Sequence, residues 1–242
     1  MSDNPVRLTD VSVNFGDVSV FNGFSLEIRR GELVAIVGPS GCGKTTLMNL
    51  VSGFLKPSRG QVAIQGRTRA IYQQDGLFPW LTAEENIALG LGHVREEGER
   101  RRQTEEMIGL IGLGGFERHY PHQLSGGMRQ RVELARALMG DTDILLMDEP
   151  FSSLDYLTRL RLRQELARML AERPRTVALV THDIEEAAQL ADRVVVLSDR
   201  PAAVRRELRL DLPRPRDLTH PLVVQTIHKI LTELGLERDT ER

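Results

Sequence analysis

Cysteine is nearly missing from this chain. Cys42 stands alone among 242 residues, so no internal disulfide can form, which favours a reducing compartment. Lysine is scarce as well, with three against 29 arginines, so a lysine inside a glycine-rich segment draws notice. Charge of one sign is also lacking. The formal net charge is −2, which excludes a bulk attraction to nucleic acid or anionic lipid. The arginines of Arg100–Arg102 lie among glutamates and read as a solvated helix face. No apolar run approaches the roughly 18–20 residues that cross a bilayer. The polar start, MSDNPVRLTD, lacks the apolar segment of a signal peptide. The expectation is a soluble or peripheral protein whose membrane role, if any, comes through a partner.

What is present is a series of short apolar runs: LVAIV (33–37), ILLM (144–147), VALV (177–180) and VVVL (194–197). Runs of this length suit strands buried on both faces of a parallel sheet. Helical patterns separate most of them, at 44–53, 128–139, 156–171 and 183–191. Strand alternating with helix predicts an α/β fold. The N-terminal part differs. Val11, Val13 and Phe15 alternate with Ser12 and Asn14, and FSLEI and GQVAIQG read as further short strands. A small antiparallel sheet beside the parallel core is expected. The stretch 77–128 shows no strong strand signal and reads as a helical insertion. Leu222, Ile227, Ile230, Leu231 and Leu234 predict an amphipathic helix near the C-terminus.

The segment GPSGCGKTT follows the first buried run and precedes a helix. Gly38, Gly43, Lys44 and Thr45 fit G-x-x-x-x-G-K-[ST], in the strand–loop–helix setting that this motif needs. Glycines let backbone N–H groups curl around an anion, and the helix N-terminus adds partial positive charge. Lys44 supplies a cation for β- and γ-phosphates, and the Thr45 hydroxyl suits Mg²⁺. By itself the motif means nucleoside triphosphate binding, shared by kinases, GTPases and helicases.

ILLMDEP puts Asp148 and Glu149 at the carboxyl end of a second strand, the edge where parallel sheets bind ligands. Asp148 can hold Mg²⁺, and Glu149 can polarise a water aimed at the γ-phosphate. VALVTHD repeats the layout with Thr181, His182 and Asp183. A lone histidine is more often structural, but this one shares the same sheet edge. LSGGMRQR (124–131) is a second glycine-marked helix start, hence a second anion reader. One loop already serves one nucleotide, so a second makes sense if it completes the site of another copy across a two-fold axis.

These segments resemble ATP-binding cassette (ABC) ATPases. LSGGMRQR is similar to their signature, VNFGD to the adenine-stacking loop with Phe15, and IYQQDGLFPW to the glutamine loop with Gln73 at the Mg²⁺ position. ILLMDEP is similar to Walker B, SSLD ending at Asp155 to the dimer-contact loop, and VTHD to the histidine switch. All occur in family order over about residues 6–200. The resemblance implies a P-loop NTPase fold with a mainly parallel core sheet, an N-terminal antiparallel β subdomain and an inserted helical subdomain. The expected division is 1–76 and 129–210 for the ATP-binding core, 77–128 for the helical part carrying the signature at its end, and 211–242 for a C-terminal helical tail.

It also implies a mechanism. Two copies clamp two ATP molecules, each held by the loop Gly38, Pro39, Ser40, Gly41, Cys42, Gly43, Lys44, Thr45 and Thr46 of one copy. Ser125 and Gly127 of the other copy close over it, and Gly126 and Asp155 belong to the same nucleotide-binding set. Thr45, Gln73 and Asp148 would hold Mg²⁺, while Glu149, His182 and Gln73 serve hydrolysis. Partners implied are a homodimer or a homologous cassette, two integral-membrane permease subunits and, indirectly, a periplasmic or extracellular substrate-binding protein, with no nucleic acid. The place implied is the cytoplasmic face of the inner membrane. GLFPWLTAEENI, MRQRVELARAL, EPFSSLD and LDLPRPRD resemble the ATPase subunits of nitrate/sulfonate/taurine-type importers, as does a cassette without a fused membrane domain. Phe78 and Trp80 are candidates for a permease-docking groove, with core packing as the competing reading. Exporter or lipid-transfer ATPases come second, and soluble ABC ATPases third. A P-loop kinase would leave LSGGMRQR and VTHD unexplained. Because Cys42 lies in the phosphate loop, bound ATP is expected to shield it from thiol reagents.

Overall fold

The computed structural model describes residues 3–72 and 76–236. Its centre is a six-stranded sheet in the order β5-β6-β7-β3-β8-β9, formed by β3 (Leu33–Val37), β5 (Thr68–Ile71), β6 (Ile144–Asp148), β7 (Thr176–Val180), β8 (Arg193–Leu197) and β9 (Val204–Arg209). Five strands run parallel, and β9 pairs antiparallel with β8. Every residue of β3, β6, β7 and β8 is buried. Leu33, Ala35 and Val37 face one apolar core, while Val34 and Ile36 face a second on the other side of the sheet. Unbroken apolar runs are what a sheet covered on both faces demands.

One core lies beneath α2 (Ala83–Ala88), α3 (Glu97–Leu110), α4 (Gly126–Met139), α5 (Tyr156–Glu172) and α6 (Ile184–Leu190). The other holds α1 (Lys44–Val51) against a three-stranded antiparallel sheet, ordered β2-β1-β4. This sheet consists of β1 (Val6–Phe15), β2 (Val18–Ile28) and β4 (Arg59–Ile64). Val11 and Val13 point inward as their alternation predicted, but Phe15 at the strand end is 53% exposed. Among the described residues no helix is long and apolar enough to cross a membrane.

The α/β class with its second, antiparallel sheet agrees with expectation. Two strands had no clear sequence signal. β5 buries only Ile71 fully, and β9, VRRELR, buries only Leu208. Its arginines mark a charged edge strand of the kind that discourages further pairing. α4 starts at Gly126 rather than near Met128 and runs unbroken through the expected boundary at 128/129. α7 (Pro221–Glu233) packs on α6 and β9. Its inward face is Val223, Thr226 and Ile230, whereas Leu222 is 46% exposed. The predicted face was therefore rotated by one residue at its start.

Candidate nucleotide site

The phosphate loop joins β3 to α1 at the carboxyl edge of the sheet. Gly43 has φ 123, in the left-handed half that favours glycine. A Cβ there would sit 2.6 Å from Val20 Cγ1, and one on Gly41 would sit 2.8 Å from Arg200 Nη2. On Gly38 it would meet Leu197 Cβ at 3.0 Å. The loop is thus shaped by β2 and by the segment after β8 as well as by its own glycines. Lys44 Nζ lies across it, donating to Gly38 O (2.8 Å) and Pro39 O (3.0 Å).

Asp148, buried at the end of β6, accepts from Thr45 Oγ1 at 3.3 Å. Burial pushes its carboxyl above the usual carboxylate range, and the Thr45 hydroxyl and the Lys44 charge partly oppose this. A cation would relieve that penalty. The hard oxygens of Thr45 and Asp148 suit Mg²⁺, with phosphates and water completing its shell. The donor set therefore fits the ion.

Glu149 is one of two described non-glycine residues with positive φ, at 51°. Its N–H donates to Val180 O (2.9 Å), which fastens the turn to the neighbouring strand. The strained turn aims the carboxylate at His182, whose Nδ1 lies 2.9 Å from Glu149 Oε1. Behind this pair, burial pushes the Glu186 carboxyl up to about 7, against the opposing pull of Arg163 and the Thr181 hydroxyl.

A cleft of 470 Å³ gathers Phe15, Ser40, Gly41, Gly43, Lys44, Thr45, Thr46, Asp148 and Glu149. Val20 and Arg200 line it too. Neither carried a sequence signal, since β2 and the turn after β8 reach the cleft only through the fold. Gly38 and Pro39 contribute as the carbonyls that hold Lys44. The Cys42 side chain is a correction. It is 2% exposed and packs inward, and burial raises its thiol pKa. Shielding by ATP would add nothing to that, although its backbone remains part of the loop. Gln73 lies outside the described residues.

Ser125, Gly126, Gly127 and Asp155 are not in the cleft. Ser125 and Gly126 are exposed. Ser125 Oγ accepts from Met128 N (3.2 Å) and caps α4. A Cβ on Gly127 would meet Ser153 O at 3.1 Å. Asp155 is exposed and caps α5 through Thr158 N (3.0 Å). Ser125–Gly127 and Asp155 therefore lie on a surface separate from the cleft.

The comparisons with known proteins agree with this geometry. The ABC transporter family model matches residues 21–152. The aliphatic sulfonates import ATP-binding protein SsuB 1 of Rhodococcus jostii is 43% identical over 215 residues, 86% of this chain and 84% of its own. SsuB 2 of Pseudomonas syringae pv. tomato is 44% identical over 222 residues, 91% of this chain and 94% of its own. The nitrate import ATP-binding protein NrtC of Synechococcus elongatus is 41% identical over 231 residues, 90% of this chain but 35% of its own. In the solved dimer of the ATP-binding cassette MJ0796 bound to ADP and Pi, a chain 33% identical superposes with a TM-score of 0.75, covering 86% of this chain and 99% of that one. A strand-edge phosphate cleft, a separate glycine-marked helix start and relatives of this closeness lead to one conclusion: the chain belongs to the ABC transporter family, as one of its ATP-binding, ATP-hydrolysing cassettes.

Proposed function

We propose that this cassette powers an importer of small oxyanionic solutes, aliphatic sulfonates first and nitrate second, from the cytoplasmic face of the membrane. Relatives named for sulfonate and nitrate import support the solute class. Its partners would be a second cassette, two permease subunits and a substrate-binding protein. Phe78 and Trp80, 41% and 68% exposed with ring centroids 5.3 Å apart, are the proposed seat of the permease. The helical part would be 77–128, the core 1–76 with 129–210, and the tail 211–242.

The observation that carries the mechanism is the separation of Ser125–Gly127 from the cleft of the same chain. Each copy would offer its exposed α4 start and Asp155 to the nucleotide held by its partner. Phe15 would stack on adenine, and Lys44 with the loop N–H groups would bind phosphate. Thr45, Asp148 and Gln73 would hold Mg²⁺, which when bound neutralises phosphate charge. Glu149 would take the proton of the attacking water. His182, with Nδ1 turned to Glu149, would have Nε2 available for the γ-phosphate. Charge developing on the phosphate would then be met by groups already in place.

Glu149→Gln tests the reading. ATP affinity should survive, turnover should fall by about 10³-fold, and MgATP should hold the variant as a dimer on size-exclusion chromatography with light scattering. A variant that stays monomeric with MgATP, or keeps its turnover, would overturn the clamp or the base, respectively.

A further inference from the structure

The loop 152–155 is wired to the Glu149 carbonyl and to Asp183, the residue that follows His182. On one side stands Gln130 of α4, whose side chain is buried. Its Nε2 donates to Glu149 O (3.1 Å), and its Oε1 accepts from Ser153 N (3.0 Å). The same Glu149 carbonyl accepts from Ser152 N (3.2 Å) and Ser152 Oγ (3.0 Å). On the other side stands Arg159 of α5, which donates through Nη2 to Leu154 O (3.1 Å) and through Nη1 to Asp183 Oδ2 (3.1 Å). Asp183 follows His182 directly and caps α6 through Glu186 N (3.0 Å). Arg163, almost wholly buried, places a second guanidinium on Asp183.

We propose that Gln130 and Arg159 are positioning residues that transmit the placement of loop 152–155 to the Glu149–His182 pair and thereby set the rate of hydrolysis. The inference rests on Glu149 being the base. Glu149 keeps a left-handed backbone only because its surroundings hold it there, and Gln130 supplies one of those bonds. Arg159 fixes the residue after His182 in the same way. The loop ends at Asp155, which is exposed. Contact with a second copy there would reach the base and the histidine by separate, short hydrogen-bonded routes. Gln130 lies on the helix begun by Ser125, so a shift of that helix start would arrive at Glu149 as well. A misplacement of about 1 Å can cost about 10²-fold in rate, so small movements suffice.

The test uses the full chain and two kinds of variant. Gln130→Glu keeps size and the acceptor for Ser153 N but loses the donor to Glu149. Arg159→Met removes both of its bridges, and Arg159→Lys restores the charge and one of them. The expected result is a kcat loss of about tenfold or more in Gln130→Glu and Arg159→Met, with the KM for ATP within about twofold and partial recovery in Arg159→Lys. In single-turnover hydrolysis on a His182→Ala background the Arg159→Met change should cost much less, since the histidine it positions is gone, whereas Gln130→Glu, which acts on Glu149, should keep its cost. Near-normal kcat in either folded variant, or an undiminished Arg159→Met loss without His182, would overturn the proposal. If Gln130→Glu does not fold, the Arg159 variants decide alone. Should Glu149→Gln keep its turnover, the base assignment fails instead, an outcome distinct from a failure of the positioning link.

Discussion

Glu149 and Cys42 show how far a residue's type and its surroundings can diverge. Both lie in motifs that a sequence reading ties to nucleotide chemistry. Glu149 takes a left-handed φ of 51° and meets His182 at 2.9 Å, an arrangement that only neighbouring strands can impose. Cys42 turns away from the cleft and packs beside Gly38 and the apolar core. Its thiolate is disfavoured by burial, and thiolate is the reactive form. Labelling by a maleimide should be slow and the same with or without MgATP, as followed by mass spectrometry of the native protein. Rapid modification that MgATP blocks would show the thiol to be reachable from the cleft.

At the scale of elements, α5 and α6 are joined by a buried cluster of charges. Burial alone would raise the Asp183 carboxyl, but the Glu186 N–H, Arg163 and Arg159 outweigh it and hold that group below its ordinary range. Glu186, more deeply buried, goes the other way, from 4.5 to about 7. Its proton is bound more tightly in the folded state, so its contribution to stability is fully present below pH 4.5 and is lost as pH rises through about 7. The span is at most about 3 kcal/mol. Denaturant titrations at pH 5 and pH 7.5 should show Glu186→Gln losing less stability over that interval than wild type. Parallel losses in the two proteins would show that Glu186 does not titrate there. Much of this element-level order was legible from sequence. The apolar runs of β3, β6, β7 and β8 had to be strands because a sheet covered on both faces leaves no polar position. β5 and β9 escaped because single buried residues, Ile71 and Leu208, hold them to the sheet, and neighbouring strands supply the pairing that their own pattern does not announce.

For the whole molecule, the exposed aromatics at Phe78 and Trp80 are the test of what the cassette drives. Core packing was the competing reading, and Trp80 at 68% exposure does not follow it. Arg136 lies 5.5 Å from the Phe78 ring centroid, and Trp80 rests against the same ring while staying largely exposed. Trp80→Ala should leave the basal ATPase within about twofold of wild type yet lose a multi-spanning permease from pull-downs out of detergent-solubilised membranes. Recovery of the same permease at the same yield would remove Trp80 from the docking surface.

The sequence by itself determined the fold class and marked the phosphate loop and the strand-end acids, because short apolar runs, glycines at fixed offsets and acids at strand ends each answer to a local physical demand. The phosphate loop, the acid pair and the second glycine-marked helix start could all be named from spacing alone. Tertiary structure alone decided which of them share a cleft. It put Ser125 and Asp155 outside, brought Val20 and Arg200 in, turned Cys42 away, and set Gln130 against the Glu149 carbonyl and Arg159 against the Asp183 carboxylate. Those relations join residues that are distant along the chain, and strand order, packing and hydrogen bonding between elements create them rather than any local pattern.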